Sequence, residues 1–561
     1  MKKKIAILLM CLISLASVLS GCTLFERNLA KYYTKTVISI EYPNGDNIDI
    51  TKKELITAFN NYGSTLVNQG STMEDALNQT MTALINQKVL IKDSEDKITL
   101  SNLDRNNLWE ESVDAIKTNL ETFAKEVREK WEIAEPDTKE ENESTKVVYT
   151  PYEKTVEVVY ENGNYVIKLI EQQEDENVPL ICDKTTTSEI CDNIYDVIMS
   201  MTKAEDSATD NEKLDAKVYS EALKKYIRTL VINEDGQKLS TDNESVFKRE
   251  IKRIYENKLD ALKITKMQEY INGTSNLSSI TVKEVLNKYK SLILESYTKY
   301  KVAPSQFDTD VLNSFSTVNY MPNDEYFFVS HILLKFTDEQ KNEYTSLETQ
   351  LKKGLISPAY YEEKILALQN QVTAFARDAE GDFGTEKKNA NEILTEVKTT
   401  LNDCSSDEQR AEAFRNLLYK YNQDEGALNS EYLYVVGTEN SGMVESFTEA
   451  SRNLHNDGEG NFGDVSELVV SEFGVHIVFY AGSVKNLFEV HSVDALSFDE
   501  KDIITLTQTL LNPLNNKSVF DKVYELLSTQ ATSTNEAMYL NVIKSDLKIT
   551  KYTKAYKDLL G

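Results

Sequence analysis

The chain has 561 residues, of which 40% are hydrophobic and 27% charged, and its formal net charge is −29 at pH 7. This composition is typical of a globular protein of about two to four domains and excludes a disordered or fibrous chain. So acidic a protein is repelled by nucleic acid, which excludes nucleic-acid binding; the charge serves solubility or, as a second interpretation, attraction of basic or unfolded clients.

The first segment predicts a secreted, lipid-anchored protein. A basic start, Met1–Lys4, precedes an apolar stretch that is short for a membrane span. The stretch ends in Leu19-Ser-Gly-Cys22, which resembles the bacterial lipobox. We therefore expect residues 1–21 to be a signal peptide, Cys22 to carry acyl chains such as palmitate, and residues 22–34 to tether the protein to the extracytoplasmic face of the cell membrane. An ordinary signal peptide with a chance cysteine is the alternative.

The region after the anchor reads as a strand and turn followed by helices. Lys35–Asp49 predicts an edge strand and turn, and Thr51–Val67 a first helix. Thr72 is a good N-cap for a second helix because acidic residues follow it in the first turn. The apolar spacing over Asn102–Glu132 predicts a third, longer helix.

The pattern then changes to a hairpin and back to helices. Val156–Leu169 alternates around Asn162-Gly163, the strongest short-range hairpin signal. Helical spacing returns from Glu212 to Lys301. Nearby, Cys182 and Cys191 lie nine positions apart in a polar segment. Outside the membrane they could close a small disulfide loop or stay free, and their spacing fits no zinc site.

Two apolar runs each carry one of the four histidines of the chain. His331 lies in Tyr326–Phe336 and His476 in Val469–Tyr480. Side chains alternate between the faces of a strand, and we expect these two histidines to meet on one face of a small sheet. A helical insertion over about 338–390 separates the first strand from the rest. After the second, we expect a strand at Leu487–Phe498 and a helical tail that breaks at Pro513.

The order of motifs around the two histidines resembles the parvulin-type peptidyl-prolyl isomerases. Those enzymes begin with a strand containing His-Ile-Leu and end with Phe/Tyr-Gly-x-His-Ile. The matching segments here are His331–Leu333, Tyr421–Asp424, Gly442-Met443, Phe447–Ala450 and Phe473–Ile477.

The resemblance implies a role for each matched residue. Met443 and Phe447 would form an apolar pocket for proline. His331 and His476 would form a hydrogen-bonded pair beneath it, and Asp424 would be the polar group beside the substrate carbonyl. The reaction requires neither a metal nor a cofactor. The histidine pair could also do no more than tie the strands together.

The expected fold is α+β. A mainly helical, chaperone-like domain would be built from residues 35–320 and 485–561, with a parvulin-like domain at residues 321–484 inserted between them. With the lipobox, this architecture resembles the extracytoplasmic foldase lipoproteins of Gram-positive bacteria and their periplasmic chaperone relatives. It implies unfolded or newly secreted polypeptides as partners, with the membrane reached through the lipid; whether the protein is a monomer or a dimer stays open.

Two departures from the family pattern favour a different function, that of an inactive chaperone. The glycine-rich segment of the family is here Leu428–Leu433, which has no glycine pair, and the insertion after the first strand is long. A hydrolase is disfavoured because the sequence contains no Gly-x-Ser-x-Gly elbow. A solute-binding lipoprotein is disfavoured because strands and helices do not alternate repeatedly.

Overall fold

The structure, a computed structural model, describes residues 29–131, 152–170, 178–205, 207–231, 243–274, 280–313, 315–322, 325–378, 383–424, 426–427, 432–439, 441–483 and 497–560. Cys22 and the rest of the predicted leader lie outside these residues, as does most of the predicted strand Leu487–Phe498. Within the described residues, no helix combines the length and the apolar character that crossing a bilayer requires.

The helices are Leu29–Tyr33 (α1), Lys52–Ala58 (α2), Ser64–Asn68 (α3), Met73–Lys97 (α4), Asn102–Trp131 (α5), Thr187–Met201 (α6), Asp210–Val231 (α7), Asn243–Thr274 (α8), Val282–Val302 (α9), Ser305–Asn313 (α10), Asp338–Lys352 (α11), Pro358–Gln371 (α12), Ala390–Asn402 (α13), Asp407–Tyr421 (α14), Glu445–His455 (α15), Asp502–Gln508 (α16), Val519–Ser545 (α17) and Thr553–Tyr556 (α18).

The strands are Thr36–Glu41 (β1), Asn47–Thr51 (β2), Val156–Glu161 (β3), Asn164–Leu169 (β4), Tyr326–Lys335 (β5), Thr373–Arg377 (β6), Phe383–Asn389 (β7), Tyr434–Gly437 (β8), Val469–Ser471 (β9), Gly474–Ser483 (β10), Leu510–Asn512 (β11), Lys517–Ser518 (β12) and Lys548–Lys551 (β13). Helices and small antiparallel sheets together make the fold α+β, as the sequence predicts.

The chain divides into two compact units, and the first consists of Met1–Glu135, Gln173–Leu277 and Thr529–Gly561. Its sheet has the order β13-β1-β2, so a strand near the C-terminus pairs with the first strand. Leu540 and Tyr556 join the apolar core that this sheet forms with α4 and α8. A second core lies among α5, α6, α7 and α8.

The second unit consists of Pro136–Gln172 and Ser278–Ser528 and contains both histidine strands. Its main sheet is antiparallel with the order β8-β5-β10-β9. Helices α13 and α14 pack on one face of this sheet through an apolar core. Helix α15 covers part of the other face, where the histidines lie.

The hairpin β3–β4 forms around the predicted turn, because Asn162 and Gly163 adopt the positive φ angles of 52° and 87° that a two-residue hairpin loop requires. The sequence placed this hairpin and residues up to 320 with the N-terminal helices. The structure groups it instead with α9 in the second unit, because Val156 shares an apolar core with Tyr289 and Phe520.

Local structure differs from the predictions at two other places. The insertion is helical only in α11 and α12, and its last part is the hairpin β6–β7. The predicted helical tail contains β11 and β12 around Pro513, and β13 near its end. Lys548–Lys551 is a strand rather than a helix because it pairs with β1, a contact that local spacing does not reveal.

Candidate active site

The two histidines lie on adjacent antiparallel strands. His331 of β5 is paired with Val478 of β10, and His476 of β10 with Leu333 of β5. Such diagonal neighbours on one face are within reach of each other's side chains. The Nδ1 atoms of the two imidazoles are 2.9 Å apart and both rings are buried, so the histidines form a direct hydrogen-bonded pair, as predicted.

Gly474 explains why the second motif contains a glycine before the histidine. Its φ is +148°, and a Cβ atom there would come within 2.1 Å of the main-chain oxygen of Leu334. A side chain would therefore push β10 away from β5. The close approach of the strands at this end brings His476 within bonding distance of His331.

The Asp424 carboxylate is brought to the pair by a short segment that continues from α14. The Asn422 side chain accepts the N–H of Leu333 at 2.7 Å, and the N–H of Gln423 donates to the carbonyl of Leu333 at 2.9 Å. The Gln423 side chain accepts the N–H of Lys335 at 2.6 Å. Residues 422–424 are thereby fixed along β5 beyond the point where β8 ends its pairing.

Asp424 is held as an ionised carboxylate. Its Oδ2 accepts from His331 Nε2 at 2.8 Å and from the Tyr434 hydroxyl at 2.7 Å, and its Oδ1 accepts from the Gly426 N–H at 2.9 Å. Burial alone would raise the pKa of Asp424, but these bonds favour the charged form more strongly and leave the pKa well below its usual value.

His476 is held as a neutral imidazole. Burial, and secondarily the neighbouring His331, lowers the pKa of His476 to about 3. Its Nε2 lies 2.7 Å from the hydroxyl oxygen of Ser471, which also accepts the N–H of Phe473 at 3.1 Å. The hydroxyl proton of Ser471 is then free to point at His476.

With one proton on each ring, a single arrangement satisfies every bond. Asp424 accepts only, so His331 donates through Nε2–H and must accept at Nδ1. His476 then donates through Nδ1–H and accepts the Ser471 hydroxyl at Nε2. The protons therefore all point from Ser471 towards Asp424, and the negative charge of the network resides on the carboxylate.

An apolar wall stands over the pair. The Phe447 ring of α15 lies 5.1 Å from the His331 ring and 5.6 Å from the His476 ring. Met443 and Tyr434 are partly buried beside Phe447. Phe447 itself is only 2% exposed, so a ligand contacts it only where Met443 and Tyr434 leave an edge open or move aside.

A third histidine stabilises the same face one layer away. His455, the last residue of α15, stacks on Phe327 with ring centroids 4.3 Å apart, and its Nδ1 lies 3.0 Å from the Tyr480 hydroxyl. This contact fixes the far end of α15 on the sheet. The helix that carries Phe447 is therefore fixed on the sheet, and with it the position of the Phe447 ring.

All five residues that the resemblance selects lie together: His331, Asp424, Met443, Phe447 and His476. Sequence reasoning missed Ser471 and Tyr434, although Ser471 lies five residues before His476 in a predicted strand. Cys182 and Cys191 are free thiols in the structure, and burial raises the pKa of Cys191 to about 11. No cluster of metal-ligating side chains occurs among the described residues.

Comparisons with known proteins place the chain in no family. No family model and no curated protein matches it. One similar solved structure comes from work on two SurA-like chaperones of Campylobacter jejuni, the virulence factor PEB4 and the periplasmic protein Cj1289. The two chains are 13% identical in sequence, the match spans 66% of this chain and 95% of the other, and the TM-score is 0.12. At that TM-score the likeness supports no conclusion about fold or function.

Proposed function

We propose that this chain is a membrane-anchored extracytoplasmic foldase that catalyses cis/trans isomerisation of Xaa-Pro bonds in unfolded or newly secreted polypeptides. The observation that supports it is the buried histidine pair, bonded to Asp424 and roofed by Phe447. This is the set of residues that the resemblance to parvulin-type isomerases selects.

The reaction needs no covalent step. Rotation about an Xaa-Pro bond faces a barrier of about 20 kcal/mol, because the planar amide is stabilised by resonance. The twisted amide has lost that resonance and carries less charge on its carbonyl oxygen. An apolar wall such as Met443 and Phe447 excludes water and binds the proline ring, which favours the less polar twisted form over the planar one.

Asp424 contributes through its charge. A carboxylate beside the substrate carbonyl disfavours the planar amide, whose oxygen is partly negative, more than the twisted amide. The bonds from His331 and Tyr434 keep the carboxylate ionised and fixed in position. In this mechanism the histidine pair positions the carboxylate and forms the floor of the pocket without transferring a proton to the substrate.

The proposal is tested by NMR exchange spectroscopy on a short peptide with one Xaa-Pro bond. We expect the protein to accelerate cis/trans exchange, and Met443→Ala and Phe447→Ala to reduce the acceleration by about tenfold or more, because each removes part of the proline-binding wall. Equal exchange rates with and without the wild-type protein would exclude isomerase activity.

A second function, binding of unfolded clients without catalysis, is favoured by the closed state of the wall. Phe447 is 2% exposed, and Asp424 Oδ2 already accepts two hydrogen bonds. The two functions separate in an aggregation assay with an unfolded secreted client. A client binder suppresses aggregation equally well in wild type and Phe447→Ala, whereas suppression by an isomerase with no binding surface elsewhere falls in the variant.

The membrane anchor is part of the proposal and is supported by the lipobox-like segment ending at Cys22. Growth of the producing cells with labelled palmitate should label the wild-type protein. Cys22→Ser should abolish labelling and release the protein from the membrane fraction. A labelled Cys22→Ser variant would exclude this residue as the lipid attachment site.

A further inference from the structure

The insertion places a buried arginine against the segment that carries Asp424. Arg377 is the last residue of β6, in the hairpin that ends the insertion, and is 8% exposed. Its Nη1 donates to the main-chain oxygen of Tyr419 at 3.0 Å and to that of Asn422 at 2.7 Å. Asn422 lies two residues before Asp424.

The two acceptors are carbonyls at the C-terminal end of α14. Tyr419 is in the last turn of α14, and Asn422 is its C-cap, whose own N–H already donates to Leu418. Carbonyls at a helix C-terminus have no partner inside the helix and carry partial negative charge. The guanidinium of Arg377 therefore supplies hydrogen bonds and compensating positive charge at the point where α14 ends and residues 422–424 begin to run beside β5.

Burying the charged side chain of Arg377 costs free energy of hydration, which other interactions must offset. Burial lowers the pKa of Arg377, which means that the surroundings disfavour its charge. A buried cation is retained only where hydrogen bonds offset the loss of hydration. The two carbonyls on the path to Asp424 contribute to this offset.

A second contact joins the same hairpin to the same helix end. Glu396 of α13 accepts from Lys388 of β7 at 2.7 Å, from Lys420 at 2.8 Å and from the Tyr421 hydroxyl at 2.6 Å. The hairpin is thus joined to the end of α14 by two sets of contacts. One is made directly by Arg377, and the other runs from Lys388 through Glu396 of α13.

We infer that the insertion braces the active-site carboxylate, and that Arg377 is a positioning residue that holds Asn422–Asp424 against β5 in bonding distance of His331. The link to catalysis rests on the proposed function; the brace itself does not. The insertion is thereby an integral support of the site.

The test observes the His331–Asp424 hydrogen bond directly by NMR. Selective ¹⁵N labelling of the four histidines allows the imidazole N–H signals to be observed, and the His331 Nε2–H signal should lie far downfield because it donates to a carboxylate. Arg377→Met should move this signal upfield and lower exchange catalysis by up to about a hundredfold, because a misplacement of about 1 Å can have an effect of that size. The Arg377→Lys variant should give a signal shift and a loss of catalysis between those of wild type and Arg377→Met, because an ammonium keeps the positive charge but lacks the rigid planar set of donors of a guanidinium.

Arg415→Met is the matched control. Arg415 lies on α14, the helix whose C-terminal end Arg377 contacts. Like Arg377, it donates to a main-chain oxygen, that of Leu514 at 2.7 Å, which is not on the segment that carries Asp424. Its loss should leave the His331 signal unchanged. If Arg377→Met does not fold, the comparison of Arg377→Lys with wild type carries the test.

The outcomes separate the brace from the proposed function. A folded Arg377→Met protein whose imidazole spectrum matches wild type overturns the brace, whatever the isomerase result. A displaced His331 signal in Arg377→Met, in a protein whose wild type does not accelerate exchange, supports the brace and rejects the isomerase.

Discussion

The two faces of the four-stranded sheet differ although the same strands build them. One face is apolar apart from Ser330 and is called the carbon face: Ile332 and Ile477 pack beside Phe479, whose ring stacks on Phe414 at 4.2 Å. The other face is formed by the alternate residues of the same strands, and it carries His331 and His476 in a continuous hydrogen-bonded network.

The difference shows how a sheet supports a polar network in its interior. Buried polar groups are stabilising only when every donor and acceptor is satisfied. On the histidine face the ring nitrogens and the Ser471 hydroxyl have partners. On the carbon face, the hydroxyl of Ser330 finds none among the described residues. The first face is suited to chemistry and the second to stability, and four predictions test that division.

The largest expected effect is on the carbon face. Phe479→Ala leaves a cavity beside Phe414 and should destabilise the second unit by about 3–5 kcal/mol. Hydrogen exchange of the β5 and β10 amides measures this, because both tryptophans, Trp109 and Trp131, lie in the first unit and their fluorescence does not report on the sheet. Protection that matches wild type would mean that Phe479 does not hold the sheet together.

The next effect separates the faces by pH. His476 has a folded-state pKa of about 3 against an ordinary value of 6.5, so the unfolded chain binds more protons between these values. Its contribution is complete above pH 6.5 and is lost as the pH falls below it. At about 1.4 kcal/mol per pH unit for one proton, the second unit should lose about 2 kcal/mol between pH 6.5 and pH 5.

His476→Asn should flatten this pH dependence, whereas Phe479→Leu on the carbon face should retain it. The measurement is the free energy of unfolding of the second unit at pH 7, 6 and 5, from denaturant titrations of all three proteins followed by hydrogen exchange of the β5 and β10 amides. Equal slopes in wild type and His476→Asn would show that His476 is not held neutral.

Two buried serines, one on each face, give a matched comparison. Ser471→Ala leaves His476 Nε2 and the Phe473 N–H without the hydroxyl and should destabilise the second unit by about 1–3 kcal/mol. It should also shift the ¹⁵N resonance of His476 Nε2, which loses its hydrogen-bond donor, whereas the tautomer set from the Asp424–His331 end of the network stays the same. An unchanged imidazole spectrum would contradict the proton arrangement derived for the network.

Ser330→Ala should have the smallest effect and the opposite sign. The hydroxyl of Ser330 is fully buried without a described partner, so its removal should leave stability unchanged or raise it by up to about 1 kcal/mol. The same denaturant titrations compare it with Ser471→Ala. A loss as large as that of Ser471→Ala would mean that both faces depend on polar contacts alike.

Much of this architecture could be predicted from the sequence because local signals were strong. The apolar runs around His331 and His476 predict β5 and β10, and the N-cap at Thr72 predicts the start of α4, where its hydroxyl accepts the N–H of Asp75. Alternation assigned both histidines to one face. Their matched motifs then selected Asp424, Met443 and Phe447.

The missed features all depend on contacts distant in sequence. The hairpin β6–β7 is short and β7 is lysine-rich, so its spacing resembles neither a clear strand nor a helix. Tyr434 reaches Asp424 only because β8 pairs with β5, and Arg377 reaches Asn422 only through the fold of the insertion. Spacing along the chain reports which face a residue occupies, not which distant group it meets.

One measurement tests the central claim that the histidine face, and not the sheet as a whole, catalyses isomerisation. Exchange NMR on a short Xaa-Pro peptide should be run with wild type, Phe447→Leu and Phe479→Leu, the same substitution on opposite faces. We predict that wild type and Phe479→Leu accelerate exchange alike and that Phe447→Leu is slower by about tenfold. No acceleration by wild type, or an equal loss in both variants, would contradict the account.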